Sequence, residues 1–294
     1  MGVIDSHVHL YPPDVNRDPA GWAAACGEPL WAQLCTRRRK NGRGVQAFPS
    51  VDELLRAMDA ADVERAVLLG WYWEMHASCA LQNRFYGECV RAHPDRLAAF
   101  ATINPRADRA LVREELDRAR GEGLVGLGEL SPHTQGYAVD NAAFGAVLEL
   151  AERWAWPVNL HVTDPDSRPY PGRVATPLED FLLLGRTYPR VNFVLAHWGG
   201  LLPLRDPAAV ELKNLHYDTA ASPLLYGPDV WRRFMATVPA ERVHFGSDYP
   251  LNVYPTIDAE PNFTRLVAEA HRSGLDATQL KALMRENSAR WFKR

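Results

Sequence analysis

Two histidines separated by one residue stand in the run Val3-Ile4-Asp5-Ser6-His7-Val8-His9-Leu10. A strand sends alternate side chains to opposite faces, so His7 and His9 leave the same side. Two imidazoles on one side of one strand suit a divalent cation of the zinc type. Further residues of metal-binding type close later apolar runs. These are Glu129 in Gly126-Leu127-Gly128-Glu129-Leu130, His161 in Val158-Asn159-Leu160-His161, His197 in Val194-Leu195-Ala196-His197-Trp198-Gly199-Gly200 and Asp248 in Gly246-Ser247-Asp248-Tyr249-Pro250. A single histidine at a strand end is ordinarily a hydrogen-bonded structural group. Six such groups buried together are costly unless a cation compensates them.

The elements that must position these residues can be read along the chain. Ser50 with Glu53 three residues on marks a helix start, and that helix runs to Ala61. Strands are expected at 65–70, 97–103, 124–130, 157–162, 191–197, 215–218 and 242–247, after the first at 3–10. Helices are expected at 78–93, 107–122, 141–155, 177–188, 228–237, 261–272 and 276–285. The strands are short, continuous apolar runs, as in a parallel sheet buried on both faces. Eight strand–helix units in 294 residues predict an α/β fold of the (β/α)₈ TIM-barrel type. An open doubly wound sheet is the competitor, but no GxGxxG turn supports a nucleotide site. One domain is expected over 1–294. Segment 11–49, without clear periodicity, is expected to be a long loop serving as cap or lid.

Composition excludes several classes. A net charge of −3 offers no basic face for nucleic acid, and no apolar run has membrane-spanning length. The four cysteines show no CxxC pairing, which suits reduced thiols in a cytoplasmic protein with no leader segment. A Schiff-base lysine is disfavoured, because Lys40, Lys213, Lys281 and Lys293 close no strand.

The motif set resembles the amidohydrolase superfamily. The similarity runs through His7-Val8-His9, His161, His197-Trp198-Gly199-Gly200 and Gly246-Ser247-Asp248-Tyr249-Pro250, from Ile4 to the closing Asn287-Ser288-Ala289-Arg290-Trp291-Phe292. The amidohydrolase-2 branch, with its aminocarboxymuconate semialdehyde decarboxylase group, is the closer match. The resemblance implies that His7, His9, His161 and Asp248 bind one divalent metal, zinc being expected. It implies that His197 acts on substrate or water, and that Asp248 accepts a proton while touching the metal. Glu129 stands where some relatives carry a modified lysine. It would either bridge two metals, with His197 recruited, or orient His161 or a water. The expected function is a metal-dependent hydrolase whose bound water attacks an ester, lactone or amide carbonyl of a small molecule. Non-oxidative decarboxylation of an aromatic or unsaturated acid is the alternative, with Arg37, Arg38, Arg39, Arg43, Arg168 or Arg173 holding the carboxylate. A metal-stabilised barrel that binds without turnover is a third reading. Relatives are often homodimers.

Outside the motifs, Arg37-Arg38-Arg39-Lys40 reads as a solvated turn or an anion contact. Trp71-Tyr72-Trp73-Glu74-Met75-His76 lies at the active end, where it would stack on a planar substrate or pack between loops. His216 and Asp218 share a face, and Asp218 is read as a loop-fixing residue. His76, His93, His133, His244 and His271 are read as structural or surface.

Overall fold

The structure, a computed structural model, describes residues 2–292. Eight parallel strands follow one another in the chain: β1 Val3–Val8, β2 Val63–Leu68, β3 Leu97–Ala99, β4 Leu127–Leu130, β5 Val158–Leu160, β6 Phe193–Leu195, β7 Leu215–Asp218 and β8 Val243–His244. They form two continuous ladders, β1-β2-β3 and β4-β5-β6-β7-β8. Parallel bridges join the ladders at both seams, Ala101 to Leu127 and Val8 to Tyr249. The Asp248 amide donates to the His7 carbonyl at 3.0 Å, and the His9 amide to that of Tyr249 at 2.7 Å. The Gly128 amide donates to the Ala101 carbonyl at 2.8 Å. The ring is a (β/α)₈ barrel, as the apolar runs predict.

Several strands are shorter than the sequence suggests. The runs 97–103 and 242–247 give ladders of three and two residues. The apolar runs continue, but the backbone leaves the ladder where side chains must turn into the mouth. Register shifts fall between Asp5 and Val8, and between Leu127 and Leu130.

Outside the barrel, Leu54 and Met58 of the helix Val51–Ala60 pack with Val3, Val8 and Leu10. Ser50 and Glu53 close that helix's reciprocal cap, with the Ser50 amide 2.8 Å from the Glu53 carboxylate. Inside, Val67, Phe100, Val194 and Trp291 fill the end away from the mouth. Trp291 stacks on His244 with ring centroids 4.6 Å apart and meets Phe100 edge-on at 5.3 Å. His216 belongs to this floor, 3.4 Å from His244, rather than to the mouth.

Segment 11–49 is not structureless. It holds three short helices, α1 Pro13–Arg17, α2 Pro19–Cys26 and α3 Pro29–Cys35. Each opens on a proline, whose fixed φ suits the first helical position. Gly27, at φ 76°, stops α2. None exceeds eight residues, and α2 is rich in alanine, so no apolar period could be read. Tyr11, Val15, Trp31 and Cys35 instead form a second core with Trp71, Trp73 and Cys79. Trp31 and Trp73 rings lie 5.3 Å apart. The buried Glu28 carboxylate accepts the amides of Glu74 and Met75 at 2.8 and 3.0 Å, while Glu74 accepts that of Leu30 at 3.1 Å. This exchange fastens the segment to the loop after β2. All four cysteines are free thiols.

Candidate metal centre

The six residues singled out by type converge at the barrel mouth. His7 and His9 face each other through Nε2 at 3.1 Å. Their other nitrogens are fixed from behind. His7 Nδ1 lies 2.9 Å from Asp218 Oδ2, and His9 Nδ1 lies 2.9 Å from the Leu69 carbonyl. A carbonyl only accepts, so His9 Nδ1 carries the hydrogen and its Nε2 presents a lone pair. His197 is arranged likewise, with Nδ1 donating to the Ala220 carbonyl at 3.1 Å and Nε2 left bare. His197 Nε2 lies 3.3 Å from His161 Nδ1.

Glu129 stands between the two imidazole pairs. Its Oε2 is 3.7 Å from His9 Nε2 and 4.0 Å from His7 Nε2. Its Oε1 is 3.0 Å from His161 Nδ1 and 3.7 Å from His197 Nε2. Asp248 Oδ1 joins the first pair, 3.6 Å from His9 Nε2 and 3.9 Å from His7 Nε2. Two ligand nests therefore share one carboxylate: His7, His9 and Glu129, and Glu129, His161 and His197. Of the four residues expected from the family likeness, His7, His9 and Asp248 lie together, and His161 meets them across Glu129. His161 lies with Glu129 and His197, and Glu129 occupies the centre.

The electrostatics fit a missing positive charge. Burial opposes charging His7, yet Asp218, then Glu129 and Asp248, hold its pKa up at about 10. Burial and the neighbouring His7 push His9 down to about 3. One proton on His7 thus stands between the paired Nε2 atoms, where a cation would sit. Burial and then His161 lower His197 to about 4. Burial raises Asp248 to about 7 against the pull of His7. Glu129 stays well below the carboxylate range, because the histidines around it outweigh the cost of burial. Opposed imidazole lone pairs, two carboxylates and donor atoms within 4 Å suit a divalent first-row cation.

Local backbone explains two of the motifs. His197 through Leu201 is a left-handed turn, with φ between 56° and 59°. A Cβ on Gly199 would lie 2.7 Å from the Tyr217 ring, so the first glycine of the motif has no substitute. Non-glycine residues in this region cost about 1–2 kcal/mol each, and His197, Trp198 and Leu201 all occupy it. Asp218 accepts the His197 amide at 3.1 Å, and Trp198 Nε1 donates to Ser222 Oγ at 2.9 Å, which hold the turn. Gly128, at φ 127°, passes so close to Asn159 that a Cβ would meet its carbonyl at 2.6 Å.

Asp218 fixes the loop as the sequence suggests, and it does more. Rather than fixing a loop alone, it bonds His7 directly and accepts Asn159 Nδ2 at 3.0 Å and the Ala220 amide at 3.0 Å. Its parity with His216 signalled an inward direction. The β7–β8 register and the seam between β8 and β1 put it behind His7.

The nests open into a cavity of about 1010 Å³. Trp71 and Tyr72 line it, their rings 5.5 Å from His9 and 5.1 Å from His161, whereas Trp73 is fully buried in the second core. The aromatic loop therefore packs Trp73 between loops and presents Trp71 and Tyr72 to the cavity. Arg37 and Arg39 also line the cavity, while Arg38 and Lys40 are exposed. Arg37 lies over the Tyr170 ring at 5.3 Å. Among the described residues neither Arg37 nor Arg39 pairs with a carboxylate, and the Nε of each is buried without a partner.

A family profile described as amidohydrolase matches residues 4–294. The chain belongs to the amidohydrolase family. A search of curated proteins finds none that matches this amidohydrolase. Among solved structures it is similar to 2,6-dihydroxybenzoate decarboxylase from Rhizobium, with 19% identity and a TM-score of 0.70 over 100% of this chain and 99% of that one. It is also similar to 5-carboxyvanillate decarboxylase from Sphingomonas paucimobilis, with 18% identity and a TM-score of 0.75 over 99% of each chain. A 5-carboxyvanillate decarboxylase from Novosphingobium aromaticivorans, complexed with manganese and 4-hydroxy-3-methoxy-5-nitrobenzoic acid, has 15% identity and a TM-score of 0.74 over 100% of this chain and 96% of that one. No described helix of this amidohydrolase is long and apolar enough to cross a membrane.

Proposed function

We propose that this amidohydrolase is a metal-dependent carboxy-lyase that releases CO₂ from an aromatic or unsaturated carboxylic acid. The observation that carries the reading is the pair Arg37 and Arg39, guanidiniums without carboxylate partners among the described residues, on the wall of the cavity that opens on the nests. A planar fork of donors is the side chain suited to a carboxylate. The decarboxylase structures that share the fold lend it further support. This reading replaces the hydrolase expected from the sequence as the main one.

His7, His9, Glu129 and Asp248 would hold the cation, and the second nest offers a weaker place for another. Zinc and manganese both suit such a mixture of imidazole and carboxylate. When bound, the cation draws negative charge from the substrate and fixes its orientation. The chain's own residues do the rest. Arg37 and Arg39 hold the substrate carboxylate, and Tyr72 and Trp71 flank the planar part. Asp248 passes a proton to the carbon that bears the carboxylate. The bond to the carboxyl carbon then breaks, its electron pair returns to the unsaturated system and CO₂ departs. His197, neutral at pH 7 with Nε2 bare, relays a replacement proton to Asp248.

A second reading, hydrolysis of an ester, lactone or amide, draws on Glu129. A carboxylate facing both imidazole pairs suits a site that activates water. The test is one panel on metal-loaded protein, with hydroxybenzoates and unsaturated acids followed by CO₂ release, and aryl esters and lactones followed by acid release. CO₂ without ester turnover is expected. Ester or lactone turnover without CO₂ would replace the first reading with the second.

A further inference from the structure

The charges around the cavity are unevenly compensated. On the side built by the loops after β5, β6 and β7, those other than Arg168 already have partners. Arg205 pairs with Asp166 at 2.5 Å, Arg233 with Asp229 at 3.2 Å, and the Tyr226 hydroxyl donates to Asp164. Arg168 is exposed at the rim. The free surface left on that side is apolar, with Leu201 and Leu204 from the loop after β6 and Leu224 and Leu225 from the loop after β7. The Trp198–Ser222 hydrogen bond ties these neighbouring loops together at 2.9 Å. Leu224 is 39% exposed on that wall. The segment that carries Arg37 and Arg39 adds two guanidiniums that pair with no carboxylate among the described residues, although Arg39 donates to the Asn252 carbonyl at 3.2 Å. A volume of about 1010 Å³ lies at the upper end of small-molecule sites, and a single carboxylated ring would leave much of it unfilled.

We infer that the substrate is two-ended: besides the acid group it carries an apolar group at least the size of a second aromatic ring, seated on Leu201, Leu204, Leu224 and Leu225. The inference rests on the carboxylate role of Arg37 and Arg39 only for the direction in which the molecule lies. The leucines continue the wall of the reaction cavity, so the occupant they fit is part of the substrate. Apolar area removed from water is the source of the discrimination.

The test is calorimetric binding of two probes, benzoate and 4-phenylbenzoate, to the metal-loaded protein. The second ring should tighten binding by about tenfold or more. Leu204→Asp and Leu224→Asp should bring 4-phenylbenzoate down to the level of benzoate, while Leu224→Met keeps the preference. Leu224 is on the surface, and its variants are checked for an unchanged melting temperature. Equal affinities in the wild type, no binding of 4-phenylbenzoate at millimolar concentration, or equal weakening of both probes by the aspartates would each overturn the inference. So would a dimer that Leu224→Asp dissociates without altering the ratio, because a second copy would then cover the leucines. Failure of the carboxy-lyase reading looks different: no CO₂ from any acid while the preference persists.

Discussion

Replacing Asp218 by asparagine separates the orientation of a metal-holding imidazole from the stability of the barrel. Asp218 accepts four hydrogen bonds, two on each oxygen. Oδ1 takes the amides of His197 and Ala220 at 3.1 and 3.0 Å, and Oδ2 takes His7 Nδ1 and Asn159 Nδ2 at 2.9 and 3.0 Å. In Asp218→Asn the amide oxygen keeps the two backbone donors, and the amide nitrogen then faces His7 and Asn159. Asn159 can rotate, because its own Oδ1 is buried without a partner and turns to accept. His7 can adapt only by exchanging tautomer, with Nδ1 accepting and Nε2 carrying the hydrogen toward His9. That removes the lone pair a cation requires. Loss of such a carboxylate behind a ligating histidine costs about 10–100-fold in metal affinity, or about 1.4–2.8 kcal/mol. The fold should change less than in an alanine variant, since the two backbone donors keep their acceptor and one Asn159 bond is exchanged for another. Asp218→Ala is the contrast. It leaves buried amides of His197 and Ala220 unpaired, at about 1–3 kcal/mol each, and should lower the melting temperature as well. Competition titration against a chelator gives the affinity, and the visible spectrum of the cobalt-substituted protein reports the ligand field. Wild-type affinity in Asp218→Asn, with an unchanged cobalt spectrum, would refute the argument.

Metal titration followed by elemental analysis should be biphasic, with one tight ion per chain and a second, weaker one that Glu129→Gln removes. A single phase unaffected by Glu129→Gln would mean that the second nest holds none. Arg37→Gln and Arg39→Gln should each raise KM for acid substrates by roughly tenfold or more, with a smaller effect on kcat, as loss of charge-assisted bonds implies. A fall in kcat alone would place the guanidiniums elsewhere in the reaction. Acid should destabilise the barrel floor. Burial, then Arg290, lowers His216 to about 3, and burial, then His216, lowers His244 well below 6.5. Both bind protons more readily when unfolded, so their contribution is complete above pH 6.5 and is lost as pH falls toward 3. The slope reaches about 2.7 kcal/mol per pH unit for two protons. His216→Gln should halve the share due to this pair in denaturant titrations between pH 7 and 5, and an unchanged slope would count against it.

Strand and helix order was legible because nearly every strand is an apolar run buried on both faces, bounded by a polar helix start such as Ser50 or a stop such as Gly123. The site types were legible because ionisable residues interrupt those runs at the same end. What could not be read was pairing across the ring. His161 belongs with Glu129 and His197, and Asp218 lies behind His7, because of strand register and side-chain direction, which no local pattern encodes. Segment 11–49 was illegible for a different reason. Its helices have one or two turns, and tertiary contacts of Trp31 with Trp73 and of Glu28 with Glu74 hold them where propensity does not. The basic run was half read. Arg37 and Arg39 turn toward the cavity while Arg38 and Lys40 face solvent, as extended backbone requires of alternate residues.

The barrel divides its two ends by what each must tolerate. At the floor, His216 and His244 sit neutral among Trp291, Phe100 and Val194, and apolar packing keeps them so. At the mouth, the same interior holds His7, His9, Glu129, His161 and His197, whose ring nitrogens and carboxylate oxygens crowd together as no apolar packing would arrange them. One carboxylate joins the elements there. Asp218 on β7 bonds a side chain on β1, a side chain on β5 and the backbone of the left-handed turn after β6. A shift of that turn would therefore move His197 and release the partner that fixes the tautomer of His7. Fixing His7 and fixing His197 is a single structural property in this arrangement. The barrel can then vary Arg37, Arg39 and the leucine wall on separate loops without disturbing it.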